Sequence, residues 1–307
     1  MVGYMKTRLF IIACYICCVV SCSSNPTKGI ATSTPEWLTL SEDVQQKIAT
    51  EYVSALDEFA QVMPKFAQDT EAQWAADSVH AMVTELKRSQ YPFQKKLAMI
   101  SQMQNYTAYG MVYFNAVIGA YKEPQLAGYA LKIIPQSDSL YHSLEDVDFG
   151  NVRKLTLFQA TSVYNMQLFN TLNRINNEKD YNREIFLSIY SIGVLDSLSR
   201  VNDYSDREIY KVANVLESFS YFQMICPLLA LLSKTQEKYD SNIEIITEAA
   251  KHIDSQSTPV FNAIDEHKKV EVMSDSEFEK WTLTTTQHKV KLMKLLTKFV
   301  KDWNPSE

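Results

Sequence analysis

Apolar side chains in this chain recur at intervals of three and four, and that spacing narrows the fold more than any other feature. Val44, Ile48, Tyr52, Ala55, Leu56, Phe59 and Met63 form one such stripe, closed by Pro64. Residues three and four apart share a face of an α-helix, whereas a half-buried strand alternates at every second residue. Trp74, Met82 and Leu86 suggest a second helix that ends before Tyr91-Pro92, and a third is expected from Pro92 to about Tyr121. Pro135, Gly150 and several serines break residues 125–150 into a short helix and a loop. A long stripe resumes over 151–176, and another helix is expected over about 181–201. The chain has only 7 glycines in 307 residues and no Asn-Gly or Asp-Gly pair, so hairpins lack their usual turns.

Helix starts are also written locally. Thr34-Pro35-Glu36 can cap and open a helix, and Ser205-Asp-Arg-Glu208 and Ser274-Asp-Ser-Glu277 both match the capping box. The first box leads into Ile209, Val212, Leu216 and Phe219. The second leads into Phe278, Trp281, Leu292, Leu295, Phe299 and Trp303. Between them, "YFQMICPLLALL" at 221–232 reads as the most buried segment, kinked or interrupted at Pro227, with Cys226 a buried structural thiol. The sum is an all-α protein of seven to nine helices, either a multi-helix bundle or stacked helical pairs, with the helical domain over 36–304. No repeat of fixed period runs through it.

The N-terminus follows different rules. Lys6 and Arg8 precede "LFIIACYICCVV", residues 9–20, which carries no charge and is too short to cross a bilayer. A basic start followed by such a run is the pattern of a secretory signal, and Met5 is as plausible an initiator as Met1. The run ends in Val19-Val20-Ser21-Cys22, which resembles the lipobox of bacterial lipoproteins, with Val19 where leucine is commonest. That resemblance covers residues 1–22 only. It implies that the signal peptide, 1–21, is removed, that the Cys22 thiol receives a diacylglycerol, and that the freed amine is acylated in turn, commonly with palmitate. Ile11-Ile12-Ala13-Cys14 fits the same pattern, but cutting there would leave too short an apolar run and a greasy "YICCVV" tail. Cys14, Cys17 and Cys18 then leave with the signal, and residues 22–35 become the lipid anchor and a flexible tether. The implied home is the envelope of a Gram-negative bacterium. Ser23 after the cysteine points to the outer membrane, and the lack of an acidic run after Cys22 points to its periplasmic face.

Processing at Cys22 removes Lys6 and Arg8, which leaves 28 basic against 36 acidic side chains, a formal charge of −8. An acidic chain without a basic stripe is a poor nucleic-acid binder. Only Cys226 remains beside Cys22, so no intramolecular disulfide of the mature body is expected, and the core must hold the fold by itself.

Chemical motifs are scarce. None of His80, His142, His252, His267 and His288 has a glutamate three residues before it, so the Glu-x-x-His pairs of a di-iron bundle are absent. Glu248 and His252 can share a helix face, most simply as a solvated pair. No His-Glu-x-x-His, Gly-rich phosphate loop or Gly-x-Ser-x-Gly elbow occurs, so no catalytic residue, metal or cofactor is assigned. Tyr106, Tyr109 and Tyr113 lie on one helical face, with Asn105 and Asn115 nearby. Such a face suits a core stripe with its phenols at the rim, or else an interaction surface. The expectation is a membrane-anchored, non-enzymatic binding module with an envelope partner. The alternative is an envelope enzyme whose site is assembled across helices.

Overall fold

The computed structural model describes residues 40–65, 70–91, 193–234 and 236–302, and scattered positions within 96–111 and 159–163. The protein is all-α. Its bounded helices are α1 (Glu42–Lys47), a π-helical turn (Ile48–Tyr52), α2 (Val53–Ala60), α3 (Thr70–Arg88), α4 (Asp206–Ser233), α5 (Tyr239–Asp265) and α6 (Asp275–Asp302). A further helical stretch covers 193–200, and the described positions within 96–111 are helical too.

The first stripe folds as its spacing requires. Val44, Ile48, Tyr52, Ala55, Leu56, Phe59 and Met63 are all buried, and Pro64 sits in the closing 3₁₀ turn, Met63–Lys65. Val44, Ile48, Tyr52 and Leu56 are four apart, and in a regular α-helix each such step drifts by roughly 40°. The π-helical turn is wider and takes up that drift, so all four side chains stay on one face. Leu40 and Ser41 are not helical, and α1 opens at Glu42. That cap itself lies outside the described residues, as do the Cys22 segment and residues 112–158. In α3 the core face is made by Ala75, Ala76, Val79 and Val83, while Trp74, Met82 and Leu86 flank it.

Both capping boxes form. The Ser205 amide donates to Glu208 Oε2 at 2.6 Å and the Glu208 amide to Ser205 Oγ at 3.3 Å. The corresponding distances for Ser274 and Glu277 are 2.9 and 3.4 Å. Pro227 does not interrupt α4, which runs unbroken through it. The helix already has its partners, so tertiary packing offsets the one lost backbone hydrogen bond. By length and composition α4 could cross a membrane, but 67% of its apolar window is buried within the body. A helix that is apolar all round is a core helix when neighbours cover it.

α6 organises the rest, packing against α1, the π turn, α2, α4 and α5. The Ser41 amide donates to Glu279 Oε1 at 2.7 Å, and Lys65 Nζ to the Lys301 carbonyl at 2.8 Å. α1 and α2 therefore run parallel to α6. So does α4, since Tyr210 meets Phe278 edge-on and Tyr221 lies beside Lys289. α5 follows α4 through a short connection, packs extensively against it and runs antiparallel to it. Its turn into the loop is a Schellman motif, in which Lys268 N–H donates to the Ala263 carbonyl and His267 N–H to the Ile264 carbonyl. His267 holds φ 55 there, where glycine is usual.

Candidate functional site

Halfway along the parallel helices, polar side chains from separate segments converge in an otherwise apolar interior. α6 contributes Lys289, α4 contributes Glu217 and Tyr221, and the π turn contributes Tyr52. Gln104 and Gln159 come from the helical positions between α3 and α4. Lys289 Nζ donates to Gln104 Oε1 at 3.0 Å, and Tyr52 Oη donates to the same oxygen at 2.7 Å. Gln159 Nε2 donates to Glu217 Oε2 at 3.4 Å. The Lys289 ammonium lies over the rings of Tyr221 and Tyr52, with centroids at 5.2 and 5.7 Å, an arrangement favoured by the ring quadrupoles.

The helical register places these groups. Trp281, Thr285, Lys289, Leu292, Leu296 and Phe299 follow steps of four, four, three, four and three along α6, so Lys289 occupies a core position. Along α4, Tyr210, Ala213, Glu217, Tyr221, Met224 and Leu228 do the same for Glu217. Removal from water disfavours the charged form of each titratable group. Burial therefore lowers the Lys289 ammonium to about 8, against a smaller opposing pull from Glu217. Burial raises the Tyr52 phenol well above its ordinary value, with Tyr221 and Glu217 adding to the shift. The Tyr221 phenol is raised by burial as well. The Tyr221 hydroxyl lies against that of Tyr52, and Gln159 Oε1 is buried without a hydrogen-bond partner among the described residues.

A second polar contact joins α5 to α6. His252 Nε2 lies 2.8 Å from Thr285 Oγ1, and its ring stacks near Trp281 and sits 5.1 Å from the ring of His288. Burial, helped by the neighbouring His288, lowers His252 to about 4. Burial lowers His288 too. Glu248 is exposed, and the contact of His252 with Thr285 crosses to α6. Among the described residues no three His, Cys, Asp or Glu side chains gather to hold a metal ion. Cys226 is buried, and desolvation pushes its thiol up to about 12, the behaviour of an inert core thiol.

Of the tyrosine face, Tyr106 is buried and packs edge-on against Trp74 at 5.1 Å, which gives that ring a core role. Tyr109 and Tyr113 lie outside the described residues. The Lys289 cluster escaped motif reading because its members come from different helices. Its one sequence signal is a charged residue at the core position of an apolar stripe, once on α4 and once on α6. No protein-family model matches the chain, and a search of curated proteins finds none similar to it in sequence.

Proposed function

We propose that the chain is a lipid-anchored protein of a Gram-negative cell envelope, held to the outer membrane through acyl chains on Cys22 and facing the periplasm. Its helical body acts as a binding module for an envelope partner. The observation that carries the anchoring is the order of Lys6 and Arg8, the apolar run 9–20, and Val19-Val20-Ser21-Cys22. Each buried methylene contributes about 0.8 kcal/mol, and stable attachment takes at least two lipid chains, which a fully processed lipobox cysteine exceeds. Metabolic labelling with a palmitate analogue tests this. Cys22→Ala abolishes the label, and a label that persists on Cys14 overturns the assignment.

A second reading, an envelope enzyme with a site assembled across helices, draws support from one observation. Lys289, Tyr52, Tyr221 and Glu217 converge with perturbed proton affinities at the lysine and both tyrosines. Such convergence in an apolar interior is a mark of chemical sites as well as of structural networks.

A further inference from the structure

Counted as a whole the chain is acidic and its basic residues are scattered, but the winding of α6 gathers a row of them. From Lys280 to Lys301 this helix carries six lysines and no aspartate, glutamate or arginine. Lys289 takes a core position, and the other five, Lys280, Lys291, Lys294, Lys298 and Lys301, are exposed. At 100° per residue those five fall within an arc of roughly 80°, in a row about 32 Å long. The arc looks outward, between the side where Glu279 meets Ser41 and the side where Thr285 meets His252 of α5. Lys65 extends the row at its far end, where its Nζ donates to the Lys301 carbonyl. Among the described residues none of these six lysines forms a salt bridge, whereas Lys211, Lys268 and Lys269 each do. Glu248 on α5 and Lys291 both act on His288 without pairing with each other. Like charges three and four apart on a helix repel, so a surface of opposite charge laid along the row would relieve it.

We infer that this lysine face of α6 lies on an anionic phospholipid surface, that of the bilayer to which the chain is tethered. The charge is complementary, and the form of the row selects the partner. It is straight and has no arginine, whose fork would single out one phosphate or carboxylate, and no aromatic ring on which a base could stack. Lysine ammoniums in a line suit a plane of diffuse negative charge, to which each adds attraction within about a Debye length, roughly 10 Å at 0.1 M salt. Position favours the same partner. Leu40 follows Cys22 by 18 residues, a coil span of roughly 23 Å, shorter than the row itself. The next residue, Ser41, is hydrogen-bonded to Glu279, beside Lys280 at the start of the row. An anchored chain therefore delivers α6 to the membrane, and the row lets the helix lie along it. This choice of surface rests on the anchoring reading.

The test reconstitutes the purified full chain into vesicles of phosphatidylcholine alone or with about 30% phosphatidylglycerol. Either acyl chains on Cys22 or the apolar run 9–20 keeps it attached, and the mass of the Cys22 peptide reports the anchor separately, so each reading can fail without the other. A short pulse of formaldehyde and sodium cyanoborohydride methylates exposed lysines without removing their charge, and mass spectrometry maps the sites. On the anionic vesicles Lys291, Lys294, Lys298 and Lys301 should label about fivefold more slowly than on neutral ones, with Lys251 and Lys268 unchanged. The protection should vanish in about 0.5 M sodium chloride. A chain carrying Lys294→Glu and Lys298→Glu should label like the parent on neutral vesicles, which shows the body intact, and lose protection of Lys291 and Lys301 on anionic ones. Equal labelling on both vesicles overturns the proposal and leaves the face to an acidic protein. Equal protection on both means that a second copy covers the face, which overturns it too, as does protection that survives salt or the double substitution.

Discussion

Two lysines are drawn into this bundle, and they are held in opposite ways. Lys211, near the start of α4, is 6% exposed; its Nζ donates to the Met273 carbonyl at 2.6 Å and pairs with Asp275 at 2.7 Å. Arg207 reaches the same carboxylate at 2.5 Å. The pair ties the first turn of α4 to the first turn of α6, and Asp275 stays in contact with water. Lys289 sits mid-helix, with one amide oxygen, two rings and a more distant carboxylate for company. A lysine at a helix end can complete the hydrogen bonding of a joint. A lysine mid-core with partial compensation costs stability, and a fold keeps it for a reason other than stability.

Replacing each lysine with methionine separates the two most sharply. Lys211→Met strands the Met273 carbonyl and leaves Asp275 paired with Arg207 alone, and it should cost about 2 kcal/mol in urea denaturation. Lys289→Met removes a desolvated charge from a site that accepts apolar bulk, so its stability should change by less than about 1 kcal/mol or rise. Equal losses at both positions would erase the distinction.

Acid titration sharpens the contrast by a smaller amount. His252 titrates near 4 in the fold and near 6.5 when unfolded, so between those values the unfolded chain binds more protons. Stability should therefore fall as the pH drops from about 6.5 to about 4, by roughly 1 kcal/mol after allowance for solvent screening of this half-buried ring. His252→Gln should flatten that leg. The Asp275 carboxylate is held below its ordinary range, chiefly by its hydrogen bond with Lys211, so its contribution is present above the unfolded value near 3.9 and is lost only below it. A melting series across pH that shows one leg in the variant and two in the parent supports this order.

The smallest effect concerns the loop that leads from α5 into α6. His267 occupies the left-handed region that glycine favours, so His267→Gly should raise stability by about 0.5–1 kcal/mol. A loss on thermal unfolding would mean that the imidazole supplies a contact worth more than the backbone relief.

Much of the architecture is legible in the sequence because its signals are local. The stripe from Val44 to Met63 and the serine-glutamate boxes at Ser205 and Ser274 act over one or two turns, and they fold as written. α5 is harder to see, since its buried face is Asn242, Ile246, Ala249, Ile253, Ser257 and Val260, and Pro259 lies inside it. Half of that face is small or polar, so it is defined by what α4 and α6 bring to it. The Lys289 cluster is legible only in part. Lys289 and Glu217 each break an apolar stripe, but which groups they meet depends on the parallel register of three helices, set by contacts across most of the chain. Gly110 makes the same point, because a Cβ there would come within 2.7 Å of the Met63 sulfur, a crowding that no local pattern announces.

That register also dictates a schedule. Ser41 meets Glu279 and Lys65 meets Lys301 across separations of 238 and 236 residues, so α1 and α2 have no completed seat until α6 has been synthesised. Contacts of such range slow folding, because a long loop must close before they return any stability. The chain is therefore bound to emerge with its first helices unsettled and to mature late, all at once, when its last helix docks.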